Sequence, residues 1–349
     1  MPHQFRFDSE PFDRLQVQVA QAGSIDALRT AALQMDGLIA AQYSGGARIE
    51  VISGLVSELN SQIFARLWSL VAPADLVANS CLIVMGSEGR GEQILKTDQD
   101  NALLLRDGYA CAQLQEISDR FTHSLLEFGY PPCPGNIMVS NPLWRQTLSD
   151  FKDTLRQWLY GDAPDASMQL AIFMDARAVA GDADLLLQVR TYMLAIASGG
   201  DASLARFVSA IDQFPEAGGW WARLTALRER DGPAFDLKKL GTFPIVHGVR
   251  ALALEHRLGE LSTTGRIRIL VNQQNLPADL ARDLVDALHF LMGLKLKHNL
   301  RQRQLQQPVD NLVHLSEFGT LEQDLLKDAL AIIKRFKQHL RQHFKLDAL

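Results

Sequence analysis

Two aspartates separated by one residue, Asp98 and Asp100, stand directly before an apolar segment at residues 101–105. In an extended chain, side chains at positions i and i+2 leave the same face, so both carboxylates can reach the same one or two cations. Magnesium prefers hard oxygen ligands, and it usually takes one or two carboxylates together with the phosphate oxygens of a substrate. The pair is therefore more typical of a site for a metal-bound nucleotide than of a closed structural metal site.

A small Gly-Ser turn precedes this pair and follows an apolar strand candidate at residues 81–85. Gly86 allows the chain to turn tightly. The backbone N–H groups and the hydroxyl of Ser87, close to a following helical turn, are suited to binding a phosphate, and Arg90 adds a positive charge nearby. The alternative is a polar turn between two strands, in which the glycines are ordinary turn residues.

The run GSEGRGEQILKTDQDN at positions 86–101 resembles the signature of the DNA polymerase β-type nucleotidyltransferase superfamily. Within that superfamily, GSEGRGEQ followed by TDQDNAL is similar to a nucleotidyltransferase family related to the N-terminal domain of the PII-protein uridylyltransferase. Members of that family often carry CBS or cyclic-nucleotide-binding domains ahead of the transferase, and we recognise no such sequence in this chain. The resemblance implies that Mg²⁺, or alternatively Mn²⁺, binds at Asp98 and Asp100, and that Gly86, Ser87 and Arg90 contact the nucleotide.

A third carboxylate, Asp175, follows a second apolar stretch at residues 170–174, which is either a buried strand or the end of a buried helix. An unpaired buried carboxylate is costly, so Asp175 needs a partner, either Arg177 or a metal ion. Two-metal transfer usually needs a third carboxylate, which shares the catalytic ion and draws the proton from the acceptor hydroxyl. We expect Asp175 to be that catalytic metal ligand. The family's pattern of an apolar strand ending in Asp-x-Arg, then Gly-Asp, matches Asp175, Arg177, Gly181 and Asp182. The alternative is a surface ion pair of Asp175 with Arg177.

The segment FDLKKLGTFPIVHGVRALALEHRL at positions 235–258 also resembles this family. In related transferases a basic residue of the helical domain meets the triphosphate, where it offsets charge on the leaving pyrophosphate. We predict this nucleotide-binding role for Lys238, with Asp236 orienting it. The alternative is the solvated basic start of a helix.

The order of elements predicts an α+β fold that is predominantly helical, with a small mixed-sheet polymerase β-type core between N-terminal helices and a C-terminal helical domain. Apolar residues at helical spacing predict three helices before Pro73. Strands are predicted at 81–85 and 101–105, and helices at 110–128, 147–159, 183–197, 202–212, 220–230, 244–258, 278–303 and 321–343. The predicted domains are residues 1–73, 74–197 and 198–349.

The composition is typical of a soluble globular protein, with 349 residues, 47% hydrophobic and 21% charged. A net charge of -5 argues against a surface built for long nucleic acid. The three cysteines are far apart and lack the spacing of a zinc or disulfide framework. The N-terminus lacks a signal pattern and no apolar run reaches the roughly 18 residues of a membrane span, so we expect a cytoplasmic protein without membrane contact.

The family resemblance implies transfer of an NMP group from an NTP to an acceptor hydroxyl, with release of pyrophosphate. The acceptor is either a protein side chain, as in uridylylation of PII in signal transduction, or a small molecule, as in antibiotic adenylylation; the resemblance favours the protein. Two other functions stay open: a regulatory module that senses a nucleotide without turnover, and a helical scaffold, whose helices could also support a homo-oligomer. The sequence contains no His-Asp dipeptide, so we expect no hydrolase activity that removes the nucleotide.

Overall fold

The structure is a computed structural model, and it describes residues 10–161, 163, 165–197, 201–212 and 234–348. The chain divides into two compact units, Met1–Ile196 and Ala197–Leu349. The helix predicted at residues 220–230 lies outside the described residues. The predicted α+β class, predominantly helical with a small mixed sheet, is confirmed.

Three helices open the N-terminal unit, as predicted: α1 (Glu10–Gln21), α2 (Ile25–Ser44) and α3 (Ile49–Val71). Ser24 begins α2 by accepting a hydrogen bond from the backbone N–H of Ala27, as an N-cap serine does. Buried residues recur at helical spacing along α3, which therefore turns one face toward the core. A short helix, α4 (Ala74–Ala78), connects α3 to the sheet.

A four-stranded sheet with the order β3-β2-β1-β4 forms the core of this unit. The two central strands, β1 (Ser80–Val84) and β2 (Asn101–Leu105), are antiparallel and buried along their whole length, which explains their nearly continuous apolar sequence. On the outer sides, β4 (Arg177–Gly181) runs antiparallel to β1 and β3 (Arg145–Thr147) runs parallel to β2. Helix α3, which precedes the sheet in sequence, contacts β4.

Five helices connect the strands or follow them: α5 (Gly86–Gly89), α6 (Leu114–Glu127), α7 (Leu148–Tyr160), α8 (Ala166–Phe173) and α9 (Ala183–Ile196). Helix α9 follows β4 directly and packs against both β4 and β1. The apolar stretch at 170–174 is the end of helix α8, one of the two alternatives considered.

Three details of the predicted core are wrong. Helix α6 begins at Leu114 and not at residue 110, because the N–H of Leu114 closes a turn onto the carbonyl of Cys111. The short strand β3 was not predicted, since its sequence Arg-Gln-Thr is polar and partly exposed. The strand near Asp175 follows this residue as β4 instead of ending at it.

The described part of the C-terminal unit is almost entirely helical, as predicted. The helices described there are α10 (Asp201–Ser209), α11 (Phe243–Glu255), α12 (Thr263–Asn272), α13 (Ala278–Gln304) and α14 (Thr320–His343). Helix α12 was missed, although Ser262 caps it by accepting from the N–H of Gly265. Two short antiparallel strands, β5 (Phe235–Asp236) and β6 (Leu312–Val313), join residues distant in sequence. None of the described helices combines the length and the apolar content that a membrane crossing requires.

Candidate active site

Helix α5 is a single turn that directly follows β1 and carries the first glycines of the motif. Gly86 has φ +57°, a left-handed conformation that is unfavourable for residues with a side chain. A Cβ atom at this position would also lie 2.6 Å from Oδ2 of Asp100. Position 86 therefore requires glycine for two reasons, and the turn lies directly against one predicted metal ligand. Ser87, the next residue, is partly exposed.

Asp98 and Asp100 flank a buried residue, as the alternation of an extended segment predicts. Gln99 is 1% exposed, and its side-chain amide donates to two backbone carbonyls at 3.2 and 3.0 Å. Both aspartates are partly exposed. The backbone carbonyl of Asp100 accepts a hydrogen bond of 2.8 Å from the N–H of Met85, which joins the start of β2 to the end of β1.

Cys133 lies against Asp100, a contact that the sequence did not predict. Burial, and after it the negative charge of Asp100, raise the pKa of Cys133 to about 12, and the thiol donates a hydrogen bond to this carboxylate. A thiol with such a pKa stays protonated at neutral pH, so it can keep this donor role. The carboxylate of Asp100 is thus contacted both by the α5 turn and by Cys133.

Asp175 comes directly after α8, and its side chain is 0% exposed. Its Oδ2 accepts a hydrogen bond of 2.5 Å from Nη1 of Arg90, while Nε of Arg90 donates to Oε2 of Glu92 at 2.6 Å. Burial by itself would lower the pKa of Arg90, but the charges of Glu92 and Asp175 outweigh it and raise this pKa above its ordinary value. The buried carboxylate therefore has a partner, which is Arg90.

The alternative of a surface pair between Asp175 and Arg177 is wrong, because Asp175 is buried and Arg177 binds elsewhere. The guanidinium of Arg177 donates to the hydroxyls of Ser61 at 2.7 Å and Ser57 at 3.1 Å, both on α3. It also donates to the backbone carbonyl of Glu88 at 3.0 Å and lies 3.4 Å from its carboxylate. Arg177 therefore links β4 to α3 and to α5.

The last residue of α5, Gly89, packs against the backbone of Asp175. A Cβ atom on Gly89 would collide with the carbonyl oxygen of Asp175. Helix α5 thus contacts Asp100 at its first residue and Asp175 at its last. The structure brings Gly86, Arg90 and these two aspartates together, although they come from three separate segments.

Lys238 lies in the C-terminal unit, in a π-helical turn at Leu237–Thr242. Such turns are rare and are frequent at functional sites. Asp236 accepts hydrogen bonds of 2.9 Å from the backbone N–H groups of Lys238 and Lys239, and its carboxylate lies 3.9 Å from Nζ of Lys239. Asp236 thus holds the backbone at Lys238, whose side chain is exposed. The contact of Lys238 with a triphosphate stays a prediction.

Lys96 has a structural role that sequence reasoning missed. Its side chain is 0% exposed and its Nζ donates to the backbone carbonyls of Ala32 at 3.1 Å and Phe128 at 3.0 Å. Asp36 of α2 lies 3.2 Å away. Lys96 therefore fastens the segment before Asp98 to α2 and to the C-terminal end of α6, where a cation complements unpaired carbonyls. No local pattern identifies this role, because the two carbonyls lie 64 and 32 residues away in sequence.

The residues that the structure describes fit a magnesium ion only in part. No group of three or more His, Cys, Asp and Glu side chains in the described ranges could hold a metal ion. The carboxylate of Asp175 is bound by Arg90, whereas Asp98 and Asp100 are partly exposed. Two carboxylates are enough for magnesium when phosphate oxygens supply further ligands. The site therefore fits an ion that a nucleotide completes, not a preformed three-carboxylate cage.

Two family models match the chain, one in each unit. The model described as "Putative nucleotidyltransferase DUF294" matches residues 34–165, which include the α5 turn, Asp98 and Asp100 but not Asp175. The model described as "Putative nucleotidyltransferase substrate binding domain" matches residues 201–344, which include Lys238. No curated protein matches the chain significantly. The family expected from the motif at residues 86–101 is thereby confirmed, and the chain belongs to this family of nucleotidyltransferases.

Proposed function

We propose that this protein is a Mg-dependent nucleotidyltransferase that moves an NMP group from an NTP to an acceptor hydroxyl and releases pyrophosphate. One observation supports the proposal most strongly: the packing of Gly86 against the carboxylate of Asp100. A backbone turn suited to phosphate and a carboxylate suited to a dication are then adjacent, as binding of a metal-bound triphosphate requires.

In this proposal Asp98 and Asp100 hold the metal ion, which when bound neutralises charge on the phosphates. Ser87 and the backbone at Gly86 bind the β- and γ-phosphates. The hydrogen bond from Cys133 orients Asp100. Lys238 offsets negative charge on the leaving pyrophosphate.

In this structure the guanidinium of Arg90 is hydrogen-bonded to the carboxylate of Asp175. Their proposed roles in nucleotide binding and catalysis require this hydrogen bond to break. A triphosphate offers Arg90 charged oxygens of the same kind as a carboxylate. When Arg90 turns to the phosphates, Asp175 becomes available to join the metal site and to accept the proton of the acceptor hydroxyl. Nucleotide binding would then complete the catalytic set of Asp98, Asp100 and Asp175.

The proposed acceptor is a hydroxyl on a protein, as in the related uridylyltransferase, and the expected location is the cytoplasm. The match of residues 201–344 to a substrate-binding domain supports a role of the C-terminal unit in acceptor recognition. A small-molecule acceptor is the alternative within the same reaction.

A nucleotide-sensing module without turnover is the second candidate function. The ion pair of Arg90 with Asp175 favours it, because a carboxylate bound by arginine is neither a free metal ligand nor a free base. In that case the protein would bind an NTP, and neither a labelled acceptor nor pyrophosphate would appear.

The test is transfer of label from each of the four α-labelled NTPs, with magnesium and cell extract. We expect the purified protein to label an acceptor with at least one NTP. The double variant Asp98→Asn/Asp100→Asn should lower the rate by about 100-fold or more, since it removes the charges that hold the ion. The double variant Asp26→Asn/Asp153→Asn, at exposed positions of the same unit, should transfer normally. Equal transfer by both double variants, or no transfer by the unmodified protein, contradicts the proposal.

A further inference from the structure

A buried polar network joins helix α3 to the α5 turn and to the segment that follows it. Asn60 of α3 is 0% exposed, and its Nδ2 donates to Oε2 of Glu88 at 2.6 Å and lies 2.7 Å from the side-chain amide of Gln93. Its Oδ1 accepts a hydrogen bond of 2.5 Å from the hydroxyl of Tyr130. One amide therefore binds both a residue of the phosphate-binding turn and a residue of the next segment.

The network continues to the residue before the first predicted metal ligand. Gln93 is buried, and its side-chain amide is hydrogen-bonded to the hydroxyl of Thr97 at 2.6 Å. Both orientations of this amide retain that bond; one orientation links Gln93 to Asn60, and the reversed one donates directly to the carboxylate of Glu88. Thr97 directly precedes Asp98, so a continuous set of hydrogen bonds runs from the α5 turn to the metal-binding segment.

Arg177 fixes the other end of this network. It contacts both the backbone carbonyl and the carboxylate of Glu88, and it is itself bound to the hydroxyls of Ser57 and Ser61 on α3. Buried hydrogen bonds of this kind favour one geometry, because breaking one leaves a buried polar group without its partner. The relative placement of α5 and the segment before Asp98 is therefore specified by side chains other than those of the predicted metal ligands.

We propose that Asn60, Glu88, Gln93 and Thr97 are positioning residues, which set the α5 turn and Asp98 at the separation that one metal-bound nucleotide needs. This inference rests on the proposed function, since it assigns the alignment of that same site. Removing residues that orient metal ligands without binding the metal themselves typically changes the metal affinity. Thr97 is the most informative member, because its hydroxyl can be removed with almost no change of volume.

The experiment compares Thr97→Val, which lacks the hydroxyl, with Thr97→Ser, which retains it. Binding of ATP and UTP analogues that cannot be cleaved between the α- and β-phosphates is measured by calorimetry while Mg²⁺ is varied. We expect Thr97→Val to raise the Mg²⁺ concentration for half-maximal binding about five-fold, the effect of losing one hydrogen bond. Thr97→Ser should stay within about two-fold of the unmodified protein, because the hydroxyl is restored.

Thr154→Val is the matched control for a merely structural effect. The hydroxyl of Thr154 on α7 is likewise hydrogen-bonded to a glutamine, donating to Oε1 of Gln146 at 2.9 Å, but this pair is not part of the network. Its removal should lower stability without changing the Mg²⁺ dependence. Tyr130→Phe provides a second variant of the network, since it removes only the hydroxyl that binds Asn60, and it should shift the Mg²⁺ requirement in the same direction as Thr97→Val.

The outcomes separate the inference from the proposed function. One outcome overturns the positioning role and leaves the nucleotide site intact. In that outcome the unmodified protein binds either analogue, and all three variants, Thr97→Val, Tyr130→Phe and Thr97→Ser, have the same Mg²⁺ dependence as the unmodified protein. An equal shift by Thr154→Val also overturns the positioning role. If the unmodified protein binds neither analogue with Mg²⁺, nor the corresponding analogues of GTP and CTP, the proposed function fails and the inference fails with it.

Discussion

Two buried charged networks hold helix α5, and they stabilise their charges in different ways. Arg90 faces two carboxylates, those of Asp175 and Glu92, at 2.5 and 2.6 Å, and their attraction raises its pKa in spite of burial. Glu88 faces Arg177 at 3.4 Å and the neutral amide of Asn60. Burial, opposed by the Asn60 hydrogen bond and by the charge of Arg177, raises the pKa of Glu88 to about 7.

The short segment Gly86–Arg90 therefore contains two charged groups that differ in their response to pH. Arg90 is held in its charged form by two carboxylates, whereas the pKa of Glu88 lies near neutral pH. The Arg90 network should resist changes of pH and fail when a partner is removed. The Glu88 network should respond to pH, because burial of the Glu88 carboxylate has the largest effect on its pKa.

Removing Arg90 should have the largest effect on stability. In Arg90→Leu the largely buried carboxylates of Asp175 and Glu92 lose the positive charge of Arg90, which should lower the free energy of unfolding by about 3–5 kcal/mol. Urea denaturation measures the change. Arg14→Leu is the control, since Arg14 forms an exposed pair with Glu10 at 3.9 Å and should lose less than about 1 kcal/mol. Equal losses of stability in the two variants would show that the buried ion pairs of Arg90 contribute no more to stability than an exposed ion pair.

Glu88 should make stability depend on pH. Its folded pKa of about 7 lies above the ordinary value of 4.5, so the folded state binds a proton more readily than the unfolded state. The resulting stabilisation is fully present below about pH 4.5 and is lost as the pH rises through about 7. Between about pH 5 and pH 8, the unmodified protein should therefore lose roughly 2–3 kcal/mol relative to Glu88→Gln.

Urea denaturation of both proteins across this pH range checks the expectation. Glu116→Gln, at an exposed position of α6, should follow the unmodified protein at every pH. A constant difference between the unmodified protein and Glu88→Gln would contradict the assigned titration.

Substitution of Gly86 should have a smaller effect on stability but a direct one on the site. In Gly86→Ala, the left-handed backbone and the approach of the new Cβ to Asp100 should together lower stability by about 1–3 kcal/mol. Gly37→Ala is the control: Gly37 lies in the middle of α2, where an added Cβ would meet no atom within 4 Å, and the substitution should gain about 0.5–1 kcal/mol. Thermal or urea unfolding measures whether each variant loses or gains stability. A gain of stability in both Gly86→Ala and Gly37→Ala would contradict the structural requirement for glycine at position 86.

The elements that could be predicted are those whose signal is local. Strands β1 and β2 are continuous apolar runs, and the three N-terminal helices are separated by glycine and serine, so their positions follow from the sequence. Strand β3 is polar and three residues long, and it forms because it pairs with β2, which no local pattern reveals.

In the candidate site, too, contacts between segments that are close in sequence could be predicted, whereas contacts between distant segments could not. The approach of the Gly86 turn to Asp100 follows from two strands that are neighbours in sequence. The pairing of Arg90 with Asp175 spans 85 residues and depends on the close approach of the Asp175 backbone to α5, so the sequence suggested Arg177 or a metal ion instead. Lys96 and Glu88 were missed for the same reason, since each has a partner on a distant N-terminal helix, Ala32 for Lys96 and Asn60 for Glu88.

The most direct test of the central claim is the stoichiometry of pyrophosphate release. With magnesium, the preferred NTP and an extract that contains the acceptor, one pyrophosphate should appear for each labelled NMP transferred. Both products should disappear in Asp98→Asn/Asp100→Asn and persist in Asp26→Asn/Asp153→Asn. Saturable, magnesium-dependent binding of NTP with no pyrophosphate from any of the four nucleotides would contradict a transferase and would identify a nucleotide sensor instead.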